Sequence, residues 1–175
     1  MIPVIDGVGI PDAWQRMWAP HRMEYLRGEN RPLASNDVLC PFCRIPSLTD
    51  EEGLIVYRGV SAYVVMNLYP YNAGHLLVCA YRHVADLTDL TDIERNEISA
   101  LTAHAMTTIR KVSNAAGFNI GMNQGEVSGA GLADHIHQHI VPRWGGDSNF
   151  MPIIGGVKVL PQLLSQTRSD IAGAW

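Results

Sequence analysis

Three histidines alternate with two other residues in His135-Ile136-His137-Gln138-His139, and the segment runs on into Ile140-Val141-Pro142-Arg143. Period-two spacing flanked by β-branched residues predicts a strand, along which successive side chains point to opposite faces. All three imidazoles are therefore expected on one face of a sheet. An imidazole near neutral pH can act as nucleophile, acid, base or metal ligand. Three of the chain's seven histidines fall within these five residues, so this strand constrains both the sheet and its chemistry.

Around that strand the sequence reads as a mixed fold. Leu54-Ile55-Val56-Tyr57 and Ala62-Tyr63-Val64-Val65-Met66, punctuated by Arg58-Gly59, predict a hairpin. His75–Ala80 predicts a third strand, after the loop Asn67–Gly74. A helix is expected over roughly Asp92–Ala116: Thr91 and Glu94 fit a capping box. Its apolar stripe is Ile98, Leu101, Ala105, Ile109 and Val112, and Gly117 is the expected stop. Phe118–Met122 and His135–Val141 complete the strands, joined by the Gly-rich loop Gln124–Gly131, and a last helix starting at Pro161 is expected to bury Leu164, Ile171 and Trp175. The order of elements lacks regular β-α alternation, which favours α+β with an antiparallel sheet. Residues 1–39, interrupted by Pro3, Pro11, Pro20 and Pro32, are expected to form an N-terminal extension that packs on the domain or a dimer partner, with a short helix near Ala13–Leu26 broken at Pro20, and residues 40–175 the main domain with its C-terminal helix.

Composition narrows the partners. With 175 residues, 47% hydrophobic and 17% charged, the chain is of ordinary globular type and long enough for one core. No apolar run reaches the about 18 residues of a membrane helix, and the N-terminus lacks the regions of a signal peptide; a cytoplasmic protein is expected. A net charge of −4 with scattered Lys and Arg gives no footprint for nucleic acid. A phosphate-bearing substrate would have to be held by His, Asn and backbone N–H groups.

Three cysteines cannot build a disulfide framework. Cys40-Pro41-Phe42-Cys43 has the spacing of a metal or redox pair, whereas Cys79, within Leu76–Ala80, reads as a small buried hydrophobe. The histidine strand itself has three readings. It can be a hydrogen-bonded polar face, a His-x-His metal strand, or the carrier of a phosphorus nucleophile in His137. In the last case a carbonyl holding Nδ1–H would turn Nε2 toward substrate, and neighbouring histidines would serve the phosphate oxygens.

At these residues the chain resembles the histidine triad (HIT) family of nucleotide hydrolases and transferases, whose signature is three histidines alternating with hydrophobic residues and followed by two more. The resemblance covers roughly Pro41–Arg143. Trp18-Ala19-Pro20-His21-Arg22-Met23, Asn67–Asn72 and Pro142–Phe150 extend it toward a bacterial branch that includes actinobacterial diadenosine tetraphosphate phosphorylases, and it continues through Gly155–Leu164. It implies a five-stranded antiparallel sheet with two main helices, dimerising into one continuous ten-stranded sheet.

For the site, the resemblance implies catalysis by His137, His139, His75 and His135, with His137 forming an adenylyl intermediate. Substrate contacts fall to Asn67 (ribose), Asn123 (phosphates) and the loop residues Gly129, Ala130 and Gly131. Zinc-bearing relatives imply a structural zinc on Cys40, Cys43, His83 and His135, and no organic cofactor. The implied partners are a dinucleoside polyphosphate and either inorganic phosphate or water.

Two departures stand out. Gln138 occupies a hydrophobic position of the signature and is expected to find a partner at a sheet edge or dimer contact. Leu132 stands where the phosphoramidase branch carries Ser, and Ser128–Gly131 lacks a hydroxyl expected after the glycine pair of the phosphorylases. The competing readings are a nucleoside phosphoramidase, a metalloenzyme using all three triad histidines, and a catalytically silent nucleotide-binding module. Trp14, Trp18, Tyr69 and Tyr71 read first as packing residues; some of them, or equally Val65, Leu68 and Pro70, are available to wall a base pocket. His21 and His104 are expected at a surface loop and a helix face.

Overall fold

A computed structural model describes residues 40–147 and 161–175. The expected helix near Ala13–Leu26, the packing of the N-terminal extension, His21, Trp14, Trp18 and the resemblance through 148–160 lie outside the described residues. In chain order the elements are a single helical turn α1 (Pro41–Arg44), β1 (Ile55–Arg58), β2 (Ala62–Met66), β3 (Leu76–Ala80), α2 (Asp92–Ser113), β4 (Gly117–Met122), β5 (His137–Arg143) and α3 (Leu164–Gly173). The five strands form one sheet in the order β1-β2-β3-β5-β4, with every neighbouring pair antiparallel. This is the α+β architecture expected from the sequence.

The sheet separates two environments. One face packs Val56, Val64, Met66, Leu76, Val78 and Ile140 against Ile98, Leu101, Ala105 and Ile109 of α2 and Ile171 of α3. The opposite face carries Tyr63, Val65, Leu77 and Cys79 under Cys40 and Phe42 of the segment that opens α1. Strands β2 and β3 are buried along their whole length because both faces are covered. Cys79 is fully buried, as its apolar surroundings suggested, and burial pushes its thiol pKa well up.

Helix α2 starts as its capping box dictates: the Thr91 side chain accepts from the Glu94 N–H while Glu94 receives the Thr91 N–H. It ends three residues before the expected boundary. Asn114 adopts the left-handed conformation (φ 52°, ψ 39°) that closes the last turn, and Gly117 instead opens β4. Val112 at this end is 38% exposed, so the apolar stripe stops at Ile109. In the β1–β2 turn, a Cβ on Gly59 would lie 2.7 Å from the Ala62 carbonyl oxygen, so only glycine fits. Among the described residues no helix is long and apolar enough to cross a membrane.

Two expectations about the histidine strand change. Its ladder begins at His137, opposite Cys79, rather than at His135. The chain leaves the β3 ladder just before, where the Ile136 N–H turns to the Val84 carbonyl at 2.7 Å. Gln138 points to the helix face and donates to the Thr102 hydroxyl at 2.6 Å. Its partner is thus inside the domain, not at an edge or dimer contact, because Thr102 is a buried position of α2.

Candidate active site and metal centre

The ladder puts His137 and His139 on the face away from the helices, opposite Cys79 and Leu77 of β3, and sets Gly121 of β4 beside His139. β4 ends at Met122, opposite Gln138, so Asn123 is the first residue beyond the ladder. His75 directly precedes β3 and is fully buried. It is placed by a turn in which Gly74 has φ +71°, a conformation that favours glycine.

Aromatic and imidazole rings form a continuous row across this face. His83 lies edge-on to His135 at 5.3 Å between centroids. Phe42 stands against both His135 (5.5 Å) and His137 (4.8 Å). His137 and His139 are 4.9 Å apart, His139 and His75 5.1 Å. Tyr71 closes the row, stacked on His139 at 5.5 Å and 16°.

Each histidine has its tautomer set by a different neighbour. His135 points Nε2 at the Ala80 carbonyl oxygen, 2.9 Å away. A carbonyl only accepts, so Nε2 carries the proton and Nδ1 offers a lone pair. That Nδ1 lies 3.4 Å from the Cys40 sulfur and 3.5 Å from the Cys43 sulfur. His137 is reversed: Nδ1 is 2.8 Å from the His135 carbonyl oxygen, so Nδ1 carries the proton and Nε2 the lone pair. Burial lowers the pKa of His137, although this hydrogen bond opposes the shift.

His75 accepts at Nδ1 from the Tyr71 backbone N–H (3.0 Å) and faces His139 Nδ1 with Nε2 at 2.9 Å. Burial, reinforced by the nearby His139 and His137, pushes the His75 pKa down to about 3. A neutral His75 with an occupied Nδ1 must carry its proton on Nε2 and donate it to His139 Nδ1. His139, accepting at Nδ1, then carries its own proton on Nε2. Asn67 packs its amide nitrogen against His75 (3.3 Å to Nδ1) and accepts the Tyr69 N–H at 2.9 Å.

Cys40, Cys43, His83 and His135 offer four donor atoms that all lie within 4.8 Å of one another. A tetrahedral ion bound to N and S at about 2.0–2.3 Å would set its donors about 3.5 Å apart. The Cys43–His83, Cys40–His135 and Cys43–His135 separations of 3.2, 3.4 and 3.5 Å match that requirement. The donor set of two thiols and two imidazoles therefore fits a metal ion. His137 and His139 stand outside it.

The sequence-derived residues thus separate into two groups on one face: the four of the metal cluster, and His137, His139, His75 and Asn67. Gly129 (φ +84°) and buried Ala130 lie in the β4–β5 loop. Leu68 and Tyr69, considered for a base pocket, are 61% and 80% exposed, whereas Val65 is buried in the sheet. His104 is exposed on α2, where Trp175 packs on it at 4.7 Å. Sequence reasoning missed Phe42 as the ring between His135 and His137. It also missed the clamp formed by Asn72, Arg143 and Asp147: Asn72 donates to Asp147 at 2.9 Å, and Arg143 grips the same carboxylate at 2.6 and 2.9 Å. Only the i, i+4 spacing of Arg143 and Asp147 was visible in the chain.

A histidine strand in the interior of a five-stranded antiparallel sheet, with a fourth histidine hydrogen-bonded to its end, is matched by a known family. The HIT domain model matches residues 49–146, and the chain belongs to that family. It is 52% identical over 172 residues to the AP-4-A phosphorylase of Mycobacterium tuberculosis, covering 97% of this chain and 88% of that one. It is 35% identical over 89 residues to the bis(5'-nucleosyl)-tetraphosphatase (asymmetrical) of Schizosaccharomyces pombe, covering 51% and 48%. Among solved structures, a Zn-bound histidine triad family protein from Mycobacterium smegmatis superposes with TM-score 0.62 at 23% identity, covering 79% of this chain and 94% of that one.

Proposed function

We propose that the protein is a nucleotidyltransferase that cleaves dinucleoside polyphosphates, diadenosine tetraphosphate among them, through an adenylyl-histidine intermediate. The observation that carries this reading is the 2.8 Å contact between His137 Nδ1 and the His135 carbonyl, which leaves the Nε2 lone pair as the nucleophile. Nε2 attacks the α-phosphorus, a P–N bond forms, and the P–O bond to the leaving triphosphate breaks, releasing ATP. His139 Nε2–H and the Asn123 amide hold the charged oxygens as they develop. Inorganic phosphate then attacks the phosphorus and releases ADP; water in its place releases AMP. Phosphate arrives already anionic, whereas water must lose a proton in the step. That difference favours phosphorolysis where phosphate is present. The 52% identity to an AP-4-A phosphorylase supports the same choice.

Asn67 contacts the ribose in this reading, and Gly129, Ala130 and Gly131 wrap the phosphates. The metal at Cys40, Cys43, His83 and His135 is zinc, whose preference for mixed thiolate and imidazole donors suits the set. When bound it supplies structure, tying the segment before β1 to the start of the histidine strand. Two copies pair through β4, the exposed edge of the sheet, beside a groove of about 480 Å³ lined by Ile98, Met106, Ile120 and Met122. The reaction belongs to the cytoplasm, where thiols stay reduced.

Incubation with diadenosine tetraphosphate, with and without inorganic phosphate, tests the reading. ATP plus ADP, formed only when phosphate is present, is the expected result. ATP plus AMP at equal rates in both conditions would make the protein a hydrolase, and preferential turnover of an adenosine phosphoramidate would replace the reading altogether.

A further inference from the structure

We propose that Tyr71 is a positioning residue for this transfer: its ring fixes the plane of His139 and its backbone N–H fixes the proton of His75, so that His139 presents a donor to the substrate. The catalytic consequence rests on the nucleotidyl-transfer reading, while the geometry stands apart from it.

Tyr71 is 49% exposed, which is unusual for a ring serving only the core. Its contacts are nevertheless specific. It lies nearly parallel to the His139 imidazole, 16° between planes at 5.5 Å, and tilts at 46° against His75 at 4.7 Å. Its N–H reaches His75 Nδ1 at 3.0 Å, and His75 Nε2 faces His139 Nδ1 at 2.9 Å. One residue thus touches both imidazoles of the relay, one through its main chain and both through its ring.

The torsion that turns an imidazole about its Cβ–Cγ bond is broad and roughly two-fold. A half-turn of His139 would put Cδ2 where Nδ1 now accepts the His75 proton and would swing Nε2–H away. An offset-stacked ring on one side of the imidazole opposes that rotation. The segment carrying Tyr71 is itself held firmly. Buried Asn72 donates to the Pro142 carbonyl at 3.0 Å and to Asp147 at 2.9 Å, and the His75 N–H returns to the Asn72 carbonyl at 3.2 Å. The stacked ring is therefore anchored from the end of β5, on the strand whose histidine it orients.

Two measurements on Tyr71→Phe, Tyr71→Ala and Tyr71→Leu decide the matter; the leucine variant keeps bulk without a π face should alanine disturb the fold. In steady-state turnover of diadenosine tetraphosphate with phosphate, alanine or leucine should lower kcat about tenfold or more, since small misplacements of catalytic groups are costly. KM should stay within about twofold, and phenylalanine should restore kcat. Nitrogen-15 NMR of the ligand-free protein should show His139 as a single Nε2–H tautomer in wild type and Tyr71→Phe, and as an averaged form in the other two. An unchanged kcat and tautomer in Tyr71→Ala and Tyr71→Leu would overturn the proposal. So would a raised KM at constant kcat, which marks a substrate wall, or a phenylalanine variant as impaired as alanine. If wild type fails to cleave the dinucleotide, the transfer reading falls, and the nitrogen shifts still decide whether Tyr71 orients His139.

Discussion

The two ends of the histidine row use the same side chain in opposite ways. At one end His135 gives its Nε2 proton to a carbonyl and turns Nδ1 toward two sulfurs. At the other, His139 receives a proton at Nδ1 from His75 and keeps Nε2 as a donor. His137 between them is bound by the main-chain carbonyl of the first and lies 4.9 Å from the ring of the last. Period-two spacing brings the three imidazoles to one face, with Phe42 between the first two, but their hydrogen-bond partners differ and give each ring a different free nitrogen. Spacing alone therefore locates such a site without dividing its labour.

Breaking the middle should have the largest effect. His137→Ala is expected to lower turnover of diadenosine tetraphosphate by at least about a thousandfold, with no adenylyl adduct in intact-mass spectra and melting close to wild type. Appreciable residual turnover would move the nucleophile elsewhere. Breaking the sulfur end should act on stability first. Cys40→Ser should reduce bound zinc and lower Tm by about 5 °C or more, read by elemental analysis and calorimetry, with activity following only through lost fold. A Tm equal to wild type would dismiss the metal as a structural element.

The smallest effect belongs to the His75 end and sharpens the contrast through pH. His75 titrates at about 3 in the folded chain and near 6.5 when unfolded. Between those values the unfolded chain binds more protons, so stability falls as pH drops from about 6.5 toward 3. The loss for one such group is at most about 1.4 kcal/mol per pH unit. His137, also lowered by burial, contributes in the same direction. Between pH 7 and 5, Tm should therefore drop less in His75→Gln than in wild type, and parallel Tm curves would remove His75 as a cause.

What the sequence made legible was local in origin. The capping box at Thr91 and Glu94, the hairpin at Gly59 and the alternation of the histidine strand each depend on a few neighbouring residues, and the structure has all three. The end of α2 misled because glycine usually marks a helix stop, yet Asn114 reaches the left-handed region first. Gln138 misled because its partner, Thr102, lies 36 residues away, on a helix face that spacing alone assigns no partner. The cluster of two cysteines and two histidines divides the same way. Cys40 and Cys43 announce themselves by spacing, while His83 and His135 join them only through the family resemblance and then through three-dimensional closure. The sequence offered Tyr71 only as a pocket wall, since its stack on His139 depends on a turn that folds the chain back over the sheet.

Cys40 and His135 meet across 95 positions of chain. Closing so long a loop is entropically expensive until the strands between have assembled. Phe42, whose carbonyl receives the Tyr63 hydroxyl at 2.7 Å, arrives against His137 in the same event. His137 consequently gains the Phe42 ring only when the segment carrying Cys40 and Phe42 closes on the start of β5, and a chain halted short of that closure leaves the imidazole without that wall.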